Sequence, residues 1–211
     1  LKRKPDYNLI YKKYFKNKNQ FNRRLDSEYY TGTTGKFSRY DAMVKKYAAG
    51  IGWDWVLMKS LIYEESMFDP GNESWVGASG LMQLMPSTAR ELGVTKINDP
   101  EQNIRAGSEY LKKIYANWEN IPDSIQRIKF TMASYNCGFG HIKDAQRLAR
   151  KYGKDSLRWD DGVDFYVLNL TKPEYYNDEV VKFGYARGYE PYEYVSAIFD
   201  RYKKYKTFTK R

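Results

Sequence analysis

The feature that most constrains this chain is residues 61–92, where one helix ends, a glycine-rich loop follows and another helix begins. Residues 54–67 keep helical spacing, with their apolar side chains on one broad arc. The run Gly-Ala-Ser-Gly-Leu-Met-Gln fills residues 77–83, and Pro86 opens the next helix. Because glycine adopts backbone conformations that strain other residues, this loop is predicted to bend sharply.

Two adjacent acids, Glu64 and Glu65, lie in the last turn of the first of these helices. At about 100° per residue, Glu65 falls between Leu61 and Met58, and Glu64 falls beside Leu57 and Leu61. At least one carboxylate is therefore predicted to lie partly within an apolar surface, which raises its pKa. An acid that is protonated near neutral pH can act as a general acid. Periodicity alone does not choose between the two, and pairing with Lys or Arg is the alternative.

The remainder of the chain predicts an all-α protein with short connections and no convincing strand or repeat. Ser38 is a plausible N-cap for the first helix, and Asp99 followed by Pro100 is a second start signal. The polar residues 16–38 predict a linker or ordered loop. The predicted helices cover residues 39–49, 54–67, 86–92, 100–118, 122–136, 141–152, 160–170 and 191–205.

The net charge of +10 over 211 residues is concentrated at the two ends. Residues 1–26 carry nine Lys or Arg against two acids, and residues 201–211 carry six and none, so the part between is net negative. A nucleic-acid-binding domain would place its basic residues on the folded face, so no specific nucleic acid is expected. The ends can contact anionic envelope polymer or a membrane surface, but solvated ends are the favoured interpretation.

The chain has one cysteine, Cys137, and one histidine, His141. They form no internal disulfide and cannot complete a structural zinc site. A nucleophilic Cys–His pair is conceivable. A small buried cysteine and a histidine at a helix start are favoured, and neither a metal nor a cofactor is expected.

Four short motifs occur in order along the chain: Glu65-Ser66, the loop from Ser74 through residues 77–83, residues 134–136 with Gly138, and residues 190–195. Together they resemble the ordered motifs of the family 1 lytic transglycosylases, enzymes with a goose-lysozyme-like domain. The resemblance covers residues 39–205 well. It departs at Ser134, where the family usually has Ala.

The resemblance implies an all-α, lysozyme-like (goose-type) helical domain with an N-terminal linker segment. Residues 183–190 look like a membrane-bound subfamily in which a solute-binding-like module precedes the catalytic domain. The expected organisation is therefore a module tail and linker over 1–38, a catalytic domain over 39–205 and a basic tail over 206–211. The subfamily also implies a location at the periplasmic face of the cell envelope, with anchoring to the outer membrane through an N-terminus missing from this chain. A monomer is expected.

The resemblance further implies non-hydrolytic cleavage of the MurNAc-β-1,4-GlcNAc bond in peptidoglycan glycan strands, which leaves 1,6-anhydro-MurNAc ends. Glu65 would act first as general acid and then as base, with Glu64 as its structural neighbour. For Ser74, Met82 and the tyrosines, a role in turns or packing is the alternative. The expected substrate-binding residues are Ser74, Met82, Gln83, Tyr135, Asn136 and Tyr194, and the loop glycines are Gly77, Gly80 and Gly138.

Two other functions remain open at this point. A goose-type lysozyme would use the same acid to activate water, which needs water access and a second carboxylate. Asp69 and Glu73 are the nearest candidates for that carboxylate, although Asp69 before Pro70 is typical of a turn and Glu73 is expected to be exposed. An inactive glycan-binding module is the other alternative, and the intact Glu65 and loop argue against it.

Overall fold

A computed structural model describes residues 38–209 of the chain. Its contacts divide the chain into two compact units, residues 1–42 and 43–211. Of the first unit only residues 38–42 are described, and there the Ser38 hydroxyl donates to Asp41 Oδ1 at 2.9 Å. The predicted module tail and most of the predicted linker lie outside the described residues, so the domain boundaries stay predictions.

The described residues form an all-α fold, as predicted. Among residues 38–209 the only strand-like pairing consists of two isolated bridges, Glu73 with Ser79 and Ser79 with Leu84. No helix in this range is long and apolar enough to span a bilayer. The helices are α1 Asp41–Gly50, α2 Trp55–Ser66, α3 Pro86–Glu91, α4 Pro100–Ala116, α5 Ser124–Cys137, α6 Phe139–Lys151, a π-helical turn Trp159–Val163, α7 Asp164–Asn169, α8 Pro173–Tyr176 and α9 Tyr189–Thr209.

Aspartates begin three of the central helices. Asp54 accepts from the backbone N–H of Val56 at 2.8 Å, and Asp99 and Asp123 accept from backbone N–H groups in the same way. These bonds satisfy donors that have no partner inside the helix. Met67 ends α2 in the left-handed conformation, with φ of 53°.

Most of helix α2 is buried. Helix α9 packs against both α2 and α5, and α5 also packs against α4 and α6. Every residue from Val56 to Ile62 is buried, including Lys59 and Ser60. The buried surface of this helix is therefore wider than the predicted apolar arc.

Ser134, the residue that departs from the family pattern, has a structural role in the core. Its hydroxyl donates to the Phe130 carbonyl at 2.7 Å and accepts from the indole N–H of Trp118 at 3.1 Å. Trp118 is fully buried, so its N–H needs an acceptor inside the protein. An alanine at position 134 would leave that donor without this partner.

Two helix predictions differ from the structure. The single helix predicted over residues 160–170 is split, because Asp161 is left-handed with φ of 58° and the π-helical turn precedes α7. The last helix runs to Thr209 and therefore includes the start of the predicted basic tail. There Lys206 pairs with Asp54 at 2.9 Å, so this part of the tail is not simply solvated.

Gly188 permits a close approach between the start of α9 and α7. A Cβ at this position would lie 1.6 Å from the carbonyl oxygen of Val167, which is backbone and cannot rotate away. We expect Gly188→Ala to lower the free energy of unfolding by about 3 kcal/mol, measured by urea denaturation. Gly50→Ala is the control, since a Cβ added at Gly50 would have no atom within 4 Å. Equal stability of the two variants would contradict this packing.

Candidate functional site

The end of α2 is tied to the glycine loop that follows it. The Ser66 hydroxyl donates to the Leu81 carbonyl at 2.9 Å. The Asn72 side-chain amide donates to the Glu65 backbone carbonyl at 3.3 Å. Glu65 is therefore held between helix and loop by bonds that do not use its carboxylate.

The loop glycines have distinct roles. Gly80 has φ of 84°, and a Cβ there would lie 2.2 Å from the Asn103 side chain, so both conformation and space require glycine. Gly77 has φ of 83° but open space around its Cβ position, so only its conformation favours glycine. Gly138 has φ of 93° and ends α5.

Gln83 is left-handed, with φ of 47°, and its side chain closes the loop on itself. Its amide nitrogen donates to the Asn72 carbonyl at 2.9 Å and to the Gly80 carbonyl at 3.0 Å. The structure thus gives Gln83 a loop-shaping role. Its predicted contact with sugar stays a prediction.

Asn103 of α4 anchors the loop from the core side, and the sequence analysis did not identify it. It is fully buried, donates to the Ser79 and Ile97 carbonyls at 3.1 and 2.8 Å, and accepts from the Met82 N–H at 2.8 Å. One signal in the sequence could have identified it. Asn103, Gly107 and Leu111 are spaced four residues apart and therefore share one helix face, and the apolar Leu111 indicates that this face is buried.

Glu65 is partly buried, and the Tyr194 hydroxyl donates a hydrogen bond to its Oε1. Burial raises the pKa of Glu65 to about 8, although the Tyr194 bond opposes this change and the Glu64 charge adds to it. The side chain is therefore protonated at neutral pH. This is the property predicted for a general acid.

Glu64 has a different environment. Its Oε2 pairs with Arg201 at 2.6 Å, and both side chains are largely buried, with exposed fractions of 13% and 14%. The Arg201 guanidinium also lies 4.2 Å from the centre of the Tyr63 ring. Pairing with a basic residue, the alternative interpretation of the two acids, therefore applies to Glu64.

Tyr135 lies near Glu65 but bonds to the loop. Its hydroxyl donates to the Met82 carbonyl at 2.7 Å. Burial raises the pKa of Tyr135 well above its ordinary value, and the Glu65 charge contributes to this rise. Asn136, the next residue, is exposed to solvent. The site thus combines two tyrosine hydroxyls near one acid with an exposed amide.

Ser74 and Met82 also lie in this loop. Ser74 Oγ accepts from the Ala78 N–H at 2.9 Å, which is the turn role considered as its alternative. The Met82 side chain is fully buried and faces Gly107, where an added Cβ would lie 2.4 Å from its sulfur. The Met82 side chain is therefore part of the core, which is the packing role considered as the alternative to sugar binding.

The other chemical candidates behave as turn or helix residues. Asp69 accepts from the Gly71 N–H at 2.9 Å, and Glu73 is exposed.

Burial, with the nearby Glu190 charge, raises the pKa of Cys137 to about 12, so its thiol is protonated and unsuited to nucleophilic attack at neutral pH. His141 lies in the first turn of α6. Within residues 38–209 no group of three or more His, Cys, Asp or Glu is arranged to hold a metal ion.

Comparisons with known proteins give a consistent result. The family model described as the transglycosylase SLT domain matches residues 42–157. Membrane-bound lytic murein transglycosylase F of Desulfosudis oleivorans is 37% identical over 202 residues, which are 96% of this chain and 44% of the relative. The protein of the same name from Maricaulis maris is 39% identical over 77% of this chain and 35% of the relative. The chain thus spans less than half the length of these relatives.

Solved structures share the fold. The 70-kDa soluble lytic transglycosylase of Escherichia coli matches with a TM-score of 0.55 and 25% identity over 80% of this chain and 24% of its own. A complex of the 70-kDa soluble lytic transglycosylase with bulgecin A matches with a TM-score of 0.56 and 23% identity, over 82% and 25% of the two chains. The lysozyme-like fold expected from the sequence is thereby confirmed.

The raised pKa of Glu65 makes the stability of the fold depend on pH. In the unfolded chain the carboxyl ionises near 4.5, whereas in the folded chain it keeps its proton to about 8. The contribution of Glu65 to the free energy of unfolding should therefore be fully present below pH 4.5. It should be lost as the pH rises toward 8, which lowers the free energy of unfolding by on the order of 5 kcal/mol. Glu65→Gln should remove most of this decline, measured by urea denaturation from pH 5 to 9. Parallel curves for the two proteins would contradict the assignment.

Asn103 should be essential to the loop. Asn103→Ala removes three hydrogen bonds and leaves the Met82 N–H buried without its acceptor, so we expect a loss of about 3 kcal/mol in thermal or urea unfolding. Asn98→Ala, at an exposed position, is the matched control. Wild-type stability of Asn103→Ala would show that the loop is held by other contacts.

Proposed function

The chain belongs to the transglycosylase SLT domain family, and from this premise we propose that it is a peptidoglycan lytic transglycosylase. It cleaves the β-1,4 bond between N-acetylmuramic acid and N-acetylglucosamine without water and leaves a 1,6-anhydromuramic end. The observation that carries this proposal is the partly buried Glu65, which is bonded to Tyr194 and whose raised pKa of about 8 provides a proton at neutral pH. Relatives named lytic murein transglycosylases support the same reaction class.

The reaction needs one acid. Glu65 donates its proton to the glycosidic oxygen while the bond from the anomeric carbon to that oxygen breaks. The resulting carboxylate then takes the proton of the muramic C6 hydroxyl, and the C6 oxygen forms the new bond to the anomeric carbon. Glu65 is thereby protonated again, and no water or metal is consumed.

The carboxylates near Glu65 in sequence have other roles or are exposed. This supports a nucleophile that comes from the substrate. Ordinary glycosidases use two carboxyl groups that flank the scissile bond. Here Glu64 is paired with Arg201, Asp69 caps a turn and Glu73 is exposed. The 2-acetamido group of the substrate can stabilise the anomeric carbon between the two steps.

Tyr194 tunes and orients the acid in this proposal. Its hydrogen bond holds the Glu65 carboxyl group in one orientation and stabilises the anion that forms after proton donation. Tyr135 fixes the loop behind the acid through the Met82 carbonyl. The exposed Asn136, and Gln83 and Ser74 in the loop, are proposed to hydrogen-bond the sugar, because amides and hydroxyls both donate and accept.

We further propose that the chain acts on glycan strands at the bacterial cell envelope, as a monomer. The support for the envelope location is its similarity to relatives named membrane-bound. Residues 39–205 form the catalytic domain in this proposal, and the preceding residues connect it to a solute-binding-like module.

Glu65→Gln should lower the rate of product release from purified peptidoglycan by about 10²- to 10⁴-fold, because the general acid is lost. Mass spectrometry should find wild-type products lighter by one water than those of a lysozyme. Reducing-end products would instead assign the chain as a hydrolase. Release by neither protein would leave a glycan-binding module.

Glu64→Gln is the matched control, one residue away. It should keep most of the activity while losing about 3 kcal/mol of stability, because it breaks the pair with Arg201. Assays are therefore run well below its unfolding temperature. Inactive Glu64→Gln beside active Glu65→Gln would reverse the assignment of the acid.

A further inference from the structure

Trp75 lies at the outer tip of the glycine loop and is 85% exposed, and its neighbour Val76 is exposed as well. All five tryptophans of the chain lie within residues 38–209. Trp75 is the exposed one, since three are buried and Trp55 is half-buried. An exposed apolar side chain is ordinary by itself. What distinguishes Trp75 is its place in the loop that follows the candidate acid.

The tip of the loop is a tight turn held by backbone bonds. The Gly77 N–H donates to the Ser74 carbonyl at 2.9 Å, so Trp75 and Val76 occupy the two corners of the turn. The Ser74 N–H donates to the Ala78 carbonyl at 2.8 Å and closes the base of the turn. Such corners usually carry Gly, Pro, Asn, Asp or Ser, so turn formation does not explain a tryptophan here. The turn is formed before any ligand binds, which lowers the ordering cost of binding.

Trp75 lies close to the candidate acid. The Asn72 side chain donates to the Glu65 carbonyl at 3.3 Å, and the Asn72 carbonyl accepts from the Gln83 amide at 2.9 Å. Trp75 comes three residues after Asn72, so their Cα atoms are at most roughly 11 Å apart. The residue directly before it is Ser74, which is proposed to bond the sugar. A glycan strand cleaved at Glu65 extends beyond the scissile bond on both sides, so its next rings lie within reach of the indole.

The charge around the tip favours an uncharged sugar ring over a membrane surface. Residues 60–89 contain four acids and no Lys or Arg. A loop that inserts into an anionic membrane is typically accompanied by Lys or Arg, which meet the lipid headgroups. Sugar rings make no such demand. Their C–H groups pack on an aromatic face through dispersion and through the negative charge of that face, while their hydroxyl groups stay in water.

We propose that Trp75 binds the glycan strand by stacking its indole ring against a sugar ring next to the scissile bond. The proposal rests on the proposed function, whose substrate supplies that sugar. Trp75 holds the strand in register while Glu65 donates its proton. Because this contact is the same before and during the reaction, it affects KM more than kcat.

The test compares the wild-type chain with Trp75→Ala, Trp75→Phe and Ile125→Ala. Trp75→Phe keeps an aromatic face, whereas Ile125→Ala removes an exposed apolar side chain from α5. The probe is a soluble β-1,4-linked tetrasaccharide of N-acetylglucosamine. Its affinity is measured by calorimetry, and tryptophan emission is recorded in a parallel titration. Product release from purified peptidoglycan and urea denaturation are measured for all four proteins.

We expect Trp75→Ala to bind the tetrasaccharide about tenfold more weakly than wild type, with Trp75→Phe between them and Ile125→Ala equal to wild type. Wild-type emission should shift to shorter wavelength during the titration, because the sugar displaces water from the exposed indole. Trp75→Phe should show no such shift. In Trp75→Ala the KM for peptidoglycan should rise about tenfold, whereas kcat and the free energy of unfolding should stay nearly unchanged.

Equal affinity of wild type and Trp75→Ala for the tetrasaccharide would overturn the proposal. So would an emission shift with vesicles of phosphatidylglycerol and phosphatidylethanolamine but none with the sugar, which would assign the tip to a membrane surface. Failure of the proposed function would appear separately. In that case the wild-type chain would release no product from peptidoglycan, while its affinity for the tetrasaccharide still depended on Trp75.

Discussion

The hydrogen bond from the Tyr194 hydroxyl to Glu65 is the contact on which the rest of the site depends. It joins α9 to the end of α2, the helix end that Ser66 and Asn72 also tie to the glycine loop. Burial favours the protonated acid, whereas this bond favours its anion, so two opposed effects set the proton affinity of Glu65. Burial is the larger effect, and the pKa of about 8 leaves the acid protonated but able to release its proton to a reacting oxygen.

One face of α9 gives the two adjacent glutamates different chemistry. Tyr194 and Arg201 are seven residues apart, two helical turns, so both side chains point toward α2. The neutral hydroxyl meets Glu65 and the cation meets Glu64. Of these two sequence neighbours, Glu65 is thus an uncharged acid and Glu64 is a member of an ion pair. A shift of α9 along its axis would disturb both assignments together.

Much of the helical framework could be predicted from local signals. The aspartate caps, Pro86, and the glycines at 80 and 138 act within a few residues of themselves, so the sequence shows them directly. The choice between Glu64 and Glu65 needed motif order, because their partners lie on a distant helix. Asn103 was missed because its bonds reach across to another segment. The predicted apolar arc of α2 is buried, but the burial of Lys59 was not foreseen, because its ring contact with Tyr205 comes from the distant α9.

The last helix also determines when the site becomes complete during synthesis. Glu65 and its partner Tyr194 are 129 residues apart, and Asp54 and Lys206 are 152 residues apart. A chain made from its N-terminus therefore exposes the acid-bearing helix long before α9 exists to cover it. Until then Glu65 lacks both the hydrogen bond from Tyr194 and the burial that α9 provides. In a nascent or truncated chain without α9, the raised pKa of this carboxyl group is therefore not expected.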